Sequence, residues 1–127
     1  MEQIVSGGQM KALDKATIDE MGIPSLVLME RAALSVCDAM EKEGFLSGKI
    51  LLLCGGGNNG ADGVAAARIL TLRGYKADVC ILGNPEHFTQ EMKKQIEIAE
   101  KYGISFVKTY QCSEYTTIVD SLLGVGL

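Results

Sequence analysis

Asn58, Asn59 and Asp62 stand together in the segment Gly55-Gly56-Gly57-Asn58-Asn59-Gly60-Ala61-Asp62-Gly63. The apolar run from Lys49 to Cys54 precedes it, and Val64 to Leu70 follows with a helical composition. A strand that feeds a glycine-rich turn into a helix offers backbone N–H groups to a nucleotide phosphate. Gly55, Gly57 and Gly60 also satisfy the G-x-G-x-x-G spacing of dinucleotide sites, a weak signal alone. Asp62 does not fit that plain site, because a carboxylate at a helix N-terminus repels a pyrophosphate. An N-cap role accounts for Asp62 but not for the two asparagines beside it. Crowded amide and carboxylate oxygens suit a hard cation. The segment therefore points to a nucleotide held with a cation, or to chemistry that uses a carboxylate.

Other chemistries find little support. No Gly-Lys-Ser/Thr follows the glycines, so the P-loop pattern fails. A dehydrogenase places an acid at the tip of its second strand, about 20 residues after the glycines, to hold the ribose hydroxyls. Here that strand ends Cys80-Ile81-Leu82-Gly83, with Asp78 inside it. The single histidine, His87, sits in a Pro-Glu-His loop and reads as a solvated surface residue, leaving Ser-His and Cys-His catalysis unsupported. No His/Cys cluster suggests zinc.

The chain has 127 residues, the size of one domain or part of one. A hydrophobic fraction of 47% supports a buried core, and 22% charged residues exclude general disorder. Sixteen acidic against twelve basic residues, with no basic stripe, argue against nucleic acid as a partner. Cys37, Cys54, Cys80 and Cys112 form no C-x-x-C pair and read as reduced thiols, which places the protein in the cytoplasm. No apolar run is long enough to span a bilayer, and no secretory leader is evident.

Periodicity supplies the elements that must position these residues. Ser6-x-x-Gln9 has capping-box spacing and opens a helix to about Met21. After Gly22-Ile23-Pro24-Ser25, the residues Leu26, Met29, Ala33, Val36 and Met40 mark one face of a second helix that ends before Gly44. Glu30 and Arg31 interrupt that stretch and suit local ion pairs. Strands follow at Lys49–Cys54, Lys76–Leu82, Ile104–Lys108 and Thr116–Leu123, with helices at Val64–Leu70 and Thr89–Tyr102. This alternation predicts an α/β fold: a Rossmann-like, doubly wound, mainly parallel sheet in three α/β/α layers, with two N-terminal helices. In the strand order 3-2-1-4, the fourth strand lies beside the first. Asp120-Ser-Leu-Leu-Gly124-Val125-Gly126-Leu127 then meets the Gly55–Gly63 segment at the switch point, where such sheets bind ligands.

These residues carry a resemblance. Gly-Gly-Gly-Asn-Asn-Gly-Ala-Asp-Gly, the downstream Asp-Ser-Leu-Leu-Gly-Val-Gly-Leu and the upstream Gly-Ile-Pro-Ser-Leu-Val-Leu-Met-Glu-Arg-Ala-Ala are similar to the YjeF N-terminal domain family, the NAD(P)HX epimerases. The similarity runs from about Val5 to Leu127. Ala61 stands where the family usually has glycine, which narrows the loop, and Arg31 where it often has asparagine. The family's domain continues through further strands, so residues 1–127 read as a single domain lacking its C-terminal strands, with the fourth strand a bare edge prone to associate into a homo-oligomer.

The resemblance implies an isomerase that interconverts the R and S epimers of hydrated NADH or NADPH, so that a dehydratase, fused or separate, can clear both. It assigns substrate binding to Asn58, Asn59, Gly60, Ala61 and Asp62 and to Gly124, Val125, Gly126 and Leu127, with Asn59 and Asp120 as potassium ligands. Asp120 is the first candidate for a catalytic acid/base and Asp62 the second. Two other readings remain: a non-catalytic nucleotide-binding or protein-interaction module of the same fold, and a nicotinamide-dependent oxidoreductase.

Overall fold

A computed structural model describes residues 22–122. The expected helix from Ser6 to about Met21 lies outside the described residues, as do Gly124, Val125, Gly126 and Leu127. The described chain comprises α1 (Ser25–Glu43), β1 (Lys49–Cys54), α2 (Asn58–Leu72), β2 (Lys76–Ile81), α3 (Gln90–Lys101), β3 (Ser105–Phe106) and β4 (Thr117–Ser121). Single 3-10 turns occupy Pro85–His87 and Cys112–Glu114. Every strand pair is parallel, and the order is β3-β2-β1-β4, the one considered for a doubly wound sheet. The last two strands are shorter than their apolar runs. Val107 still donates to Val79 O at 2.8 Å before residues 107–116 leave the sheet for β4.

β1 is the centre of the molecule, and its composition shows why. Ile50, Leu51, Leu52 and Cys54 are all inaccessible to solvent, the near-continuous apolar run of a parallel strand buried on both faces. Ile50, Leu52 and Cys54 join Ala77, Val79 and Val119 in the core beneath the helices. α1 contributes Met29, Ala33, Cys37 and Met40, the stripe its periodicity predicted, and ends at Gly44 in a left-handed conformation (φ 76°). Ala65, Ala66 and Ala67 let α2 lie close to both the sheet and α1. Across that helix pair run ion pairs from Arg68 to Glu30 and from Arg73 to Glu41 and Asp38, the last at 2.9 Å. Glu30 thus reaches a neighbouring helix rather than a local partner.

On the opposite face, Asp78 of β2 is buried. Its Oδ2 accepts the Tyr115 hydroxyl at 2.7 Å and lies 3.2 Å from the Lys49 ammonium, which stands 5.3 Å from the centre of the Tyr115 ring. Burial pushes the Asp78 carboxyl up, but hydrogen bonds from Ser105, Tyr115 and Lys49 together hold it below its usual value. Burial and the adjacent carboxylate push the Tyr115 phenol to about 12. This network pins the β3–β4 connection to the sheet. Asp78→Ala should lower stability by about 1–3 kcal/mol, because it strands the phenol and ammonium. The network's contribution is complete above about pH 4 and disappears as pH falls through the lowered carboxyl value. Thermal melts of both proteins should therefore differ at pH 7, and the difference should shrink as pH falls through the titration of the carboxyl.

Candidate nucleotide and cation site

α2 begins at Asn58, not at Val64, so the turn after β1 is only Gly55-Gly56-Gly57. Gly57 is the N-cap in extended conformation, with no side-chain cap. Asp62 is consequently not a cap. It lies in the second helical turn, beyond Ala61, whose N–H makes a bond to Gly57 O at 3.0 Å. The first-turn N–H groups of Asn58, Asn59 and Gly60 have no acceptor within the helix. Asn58 Oδ1 is buried and accepts no hydrogen bond among the described residues.

Gly60 is what permits this start. A Cβ there would lie 1.8 Å from Gly55 O, so the helix can close onto the strand end only without a side chain. Ala61 is inaccessible and belongs to the core, so its methyl packs inward rather than narrowing the turn.

Asn59 and Asp62 of α2 and Asp120 of β4 border one cavity of about 50 Å³, with Ala32, Ala33 and Val36 of α1 as its apolar wall. That volume holds a water or an ion. It is several-fold too small for a nucleotide, which must lie outside it, across the strand ends. The pleat carries Asp120 with its register partner Leu53, away from the helix-facing row Thr117, Val119 and Ser121. Asp120 borders the cavity but is exposed, with Oδ1 accepting Leu122 N–H at 2.9 Å.

Hydrogen bonds fix the glycine turn on both sides. Gly55 N–H donates to Ser121 O of β4 at 3.1 Å, and Gly56 O accepts Thr89 N–H from the β2–α3 connection at 3.0 Å. Phe88, half-buried against the core, comes with Thr89. Nothing in the sequence singled out Phe88, whose only signal was an aromatic residue closing a polar loop. His87 is exposed, as its loop predicted. Cys54 at the β1 tip is inert, because burial raises its thiol far above the range of a nucleophile. All four cysteines are free, and no helix among the described residues is long and apolar enough to cross a membrane. Among the same residues no group of three or more His, Cys, Asp or Glu is placed to hold a metal, so a cation here would rely on asparagine oxygens as well.

A parallel sheet with a glycine turn, an open helix start and an oxygen-bordered cavity at its switch point defines a Rossmann-like α/β protein with a ligand-type crevice. The chain belongs to the family described as YjeF-related protein N-terminus, whose model matches residues 25–127. It is 45% identical over 125 residues to an NAD(P)H-hydrate epimerase of Oenococcus oeni, covering 97% of this chain and 60% of that protein. It is 42% identical over 128 residues to the enzyme of the same name from Weissella koreensis, covering 100% of this chain and 58% of the relative. The chain thus spans about three-fifths of the length of these relatives. The crystal structure of the yeast protein ynu0 superposes with a TM-score of 0.78 at 24% identity, over 98% of this chain and 58% of the yeast chain, a likeness of fold.

Proposed function

We propose that this chain forms the nucleotide- and cation-binding part of an NAD(P)HX epimerase, an isomerase that repairs hydrated nicotinamide nucleotides in the cytoplasm. The observation that carries this reading is the meeting of Asn59, Asp62 and Asp120 at one cavity in a member of this family. The reacting carbon, C6 of the hydrated ring, bears a hydroxyl beside the ring nitrogen. Its configuration inverts if the hydroxyl leaves as water and water returns to the other face, or if the ring opens and closes. Either route needs one group that gives a proton and takes it back, and Asp120 is the first candidate, Asp62 the second. The first-turn amides from Asn58 to Gly60 would bind phosphate oxygens.

Potassium fits the residues present. Asn59 and Asp120 bring oxygen donors to a space of ionic size, and the unbonded Asn58 Oδ1 is nearby in sequence. When bound, it would neutralise carboxylate charge beside an anionic nucleotide. Gly124, Val125, Gly126 and Leu127 would continue the substrate shell. An epimerase of this kind works with a dehydratase, fused or separate, that removes one epimer while exchange supplies it.

The test is exchange between purified R and S epimers by the protein in its full reading frame. Equilibration without loss of total hydrate supports the epimerase. Binding without exchange makes the domain a non-catalytic module, and a change in nicotinamide redox state makes it an oxidoreductase. Asn59→Leu should weaken nucleotide binding about tenfold in potassium buffer, roughly 1.4 kcal/mol. Unchanged affinity by calorimetry would reduce Asn59 to a helix-start residue.

A further inference from the structure

Phe88 lies between the turns after β1 and β2. In dinucleotide folds the pyrophosphate sits at the glycine turn and an acid at the tip of β2 hydrogen-bonds the adenosine ribose, so the adenosine half runs across those two tips. Here the chain leaving β2 turns through Gly83, Asn84 and the 3-10 turn Pro85–His87, then comes back onto the tip of β1. The Phe88 ring sits directly on Gly56: a Cβ on that glycine would lie 2.4 Å from Cδ1 and 2.9 Å from Cε1. The same Cε1 is 4.0 Å from the corresponding point on Gly83. One aromatic ring therefore bridges the turns after β1 and β2.

This placement is held firmly. Thr89 N–H bonds to Gly56 O at 3.0 Å, Leu82 N–H to Cys54 O at 2.8 Å, and the Thr89 hydroxyl caps α3 by accepting Met92 N–H at 3.1 Å. Asn84 Oδ1 accepts Glu86 N–H at 3.0 Å, so its amide oxygen is spent on the loop. On the other side of the turn, towards β4 and α1, lies the cavity bordered by Asn59, Asp62 and Asp120. Among the described residues Phe88 covers the glycine turn on the β2 side, and the cavity lies on its β4 side.

We infer that Phe88 bars the adenosine half of a dinucleotide from the tips of β1 and β2, so that this site recognises its substrate through the nicotinamide mononucleotide half. The inference rests on the proposed nucleotide substrate but not on turnover. The minimal substrate is then a hydrated, reduced nicotinamide mononucleotide, whose single phosphate meets the open start of α2. The adenosine group of the complete dinucleotide contributes little affinity at the glycine turn.

Binding of nicotinamide mononucleotide and of adenosine 5′-monophosphate to the full-reading-frame protein, measured by calorimetry in potassium buffer, tests this. The nicotinamide nucleotide should bind at least tenfold more tightly. Equal affinity, tighter binding of the adenine nucleotide, or no binding of the nicotinamide nucleotide would overturn the inference. Phe88→Ala and Phe88→Leu, each checked by thermal melt, should strengthen adenine-nucleotide binding, the alanine variant more. A folded Phe88→Ala protein without that gain would also overturn it. Exchange of the hydrated mononucleotide should proceed with kcat/KM within tenfold of the dinucleotide, and a larger deficit counts against it. If neither hydrate exchanges while the binding preference holds, the epimerase reading fails and this inference stands.

Discussion

Gly60→Ala should abolish nucleotide binding and cost about 3 kcal/mol or more in stability, the largest effect expected from one added methyl among the described residues. The new Cβ would sit 1.8 Å from Gly55 O, a backbone atom that cannot swing aside as a side-chain end would. Relief requires the first turn of α2 to unwind or the strand end to move. Either withdraws Asn58 and Asn59 and parts Gly55 N–H from Ser121 O. Ala61→Gly, one residue along, is the control. It removes a buried methyl and adds helix-interior entropy, for about 1–2 kcal/mol, and leaves the contact at Gly60 intact. Melting both variants with and without nucleotide checks the pair. A Gly60→Ala protein that melts and binds like the parent would mean that the helix does not start at Asn58.

Asp120→Asn should lower the rate of epimer exchange by about 10²–10⁴-fold, the range for loss of a positioned acid/base. Asp120 is exposed, and among the described residues its Oδ1 accepts Leu122 N–H. Asparagine keeps that acceptor and the size of the side chain but cannot move a proton. Asp62→Asn should have the smaller effect. Measurement at rising potassium concentration separates proton transfer from cation binding. A defect that saturating potassium repairs makes Asp120 a ligand only, and a deeper, irreparable defect in Asp62→Asn transfers the acid/base role to that residue.

The outline of the fold was legible because apolar periodicity and stop signals agreed. Lys49 to Cys54 could be read as a strand to the residue, and Gly44 marked the end of α1, since buried parallel strands and left-handed helix ends leave plain signatures. Alternation pointed to a parallel sheet, and its strand order is the one taken for a doubly wound fold. The start of α2 was not legible. Gly60 and Gly63 with two asparagines carry loop propensities, and no local pattern reports that Gly60 must lie so close to Gly55 O for a helix to start there. Asp62 was misread as a cap for the same reason. That three oxygen-bearing residues border one cavity could be anticipated from strand order. The seat of Phe88 on Gly56 could not, because no local pattern reports a contact between two loops.

The two halves of the cavity also differ in when they can form. Asn59 and Asp62 follow β1 directly, whereas β4 reaches β1 only across a long excursion. Thr116 Oγ1 meets Lys49 O, 67 residues away in sequence, and Gly48 is bare where its Cβ would lie 2.5 Å from Thr116 Cγ2. Closing a loop of that length costs about 4 kcal/mol of chain entropy beyond its constant part, so the β1-α2-β2 unit has every reason to assemble before β4 docks. The amides of β4 are accordingly the sheet positions expected to exchange with deuterium soonest after those of the two-residue β3. Asp120, carried on β4, is therefore expected to join the helix-borne residues only after the β1-α2-β2 unit has formed.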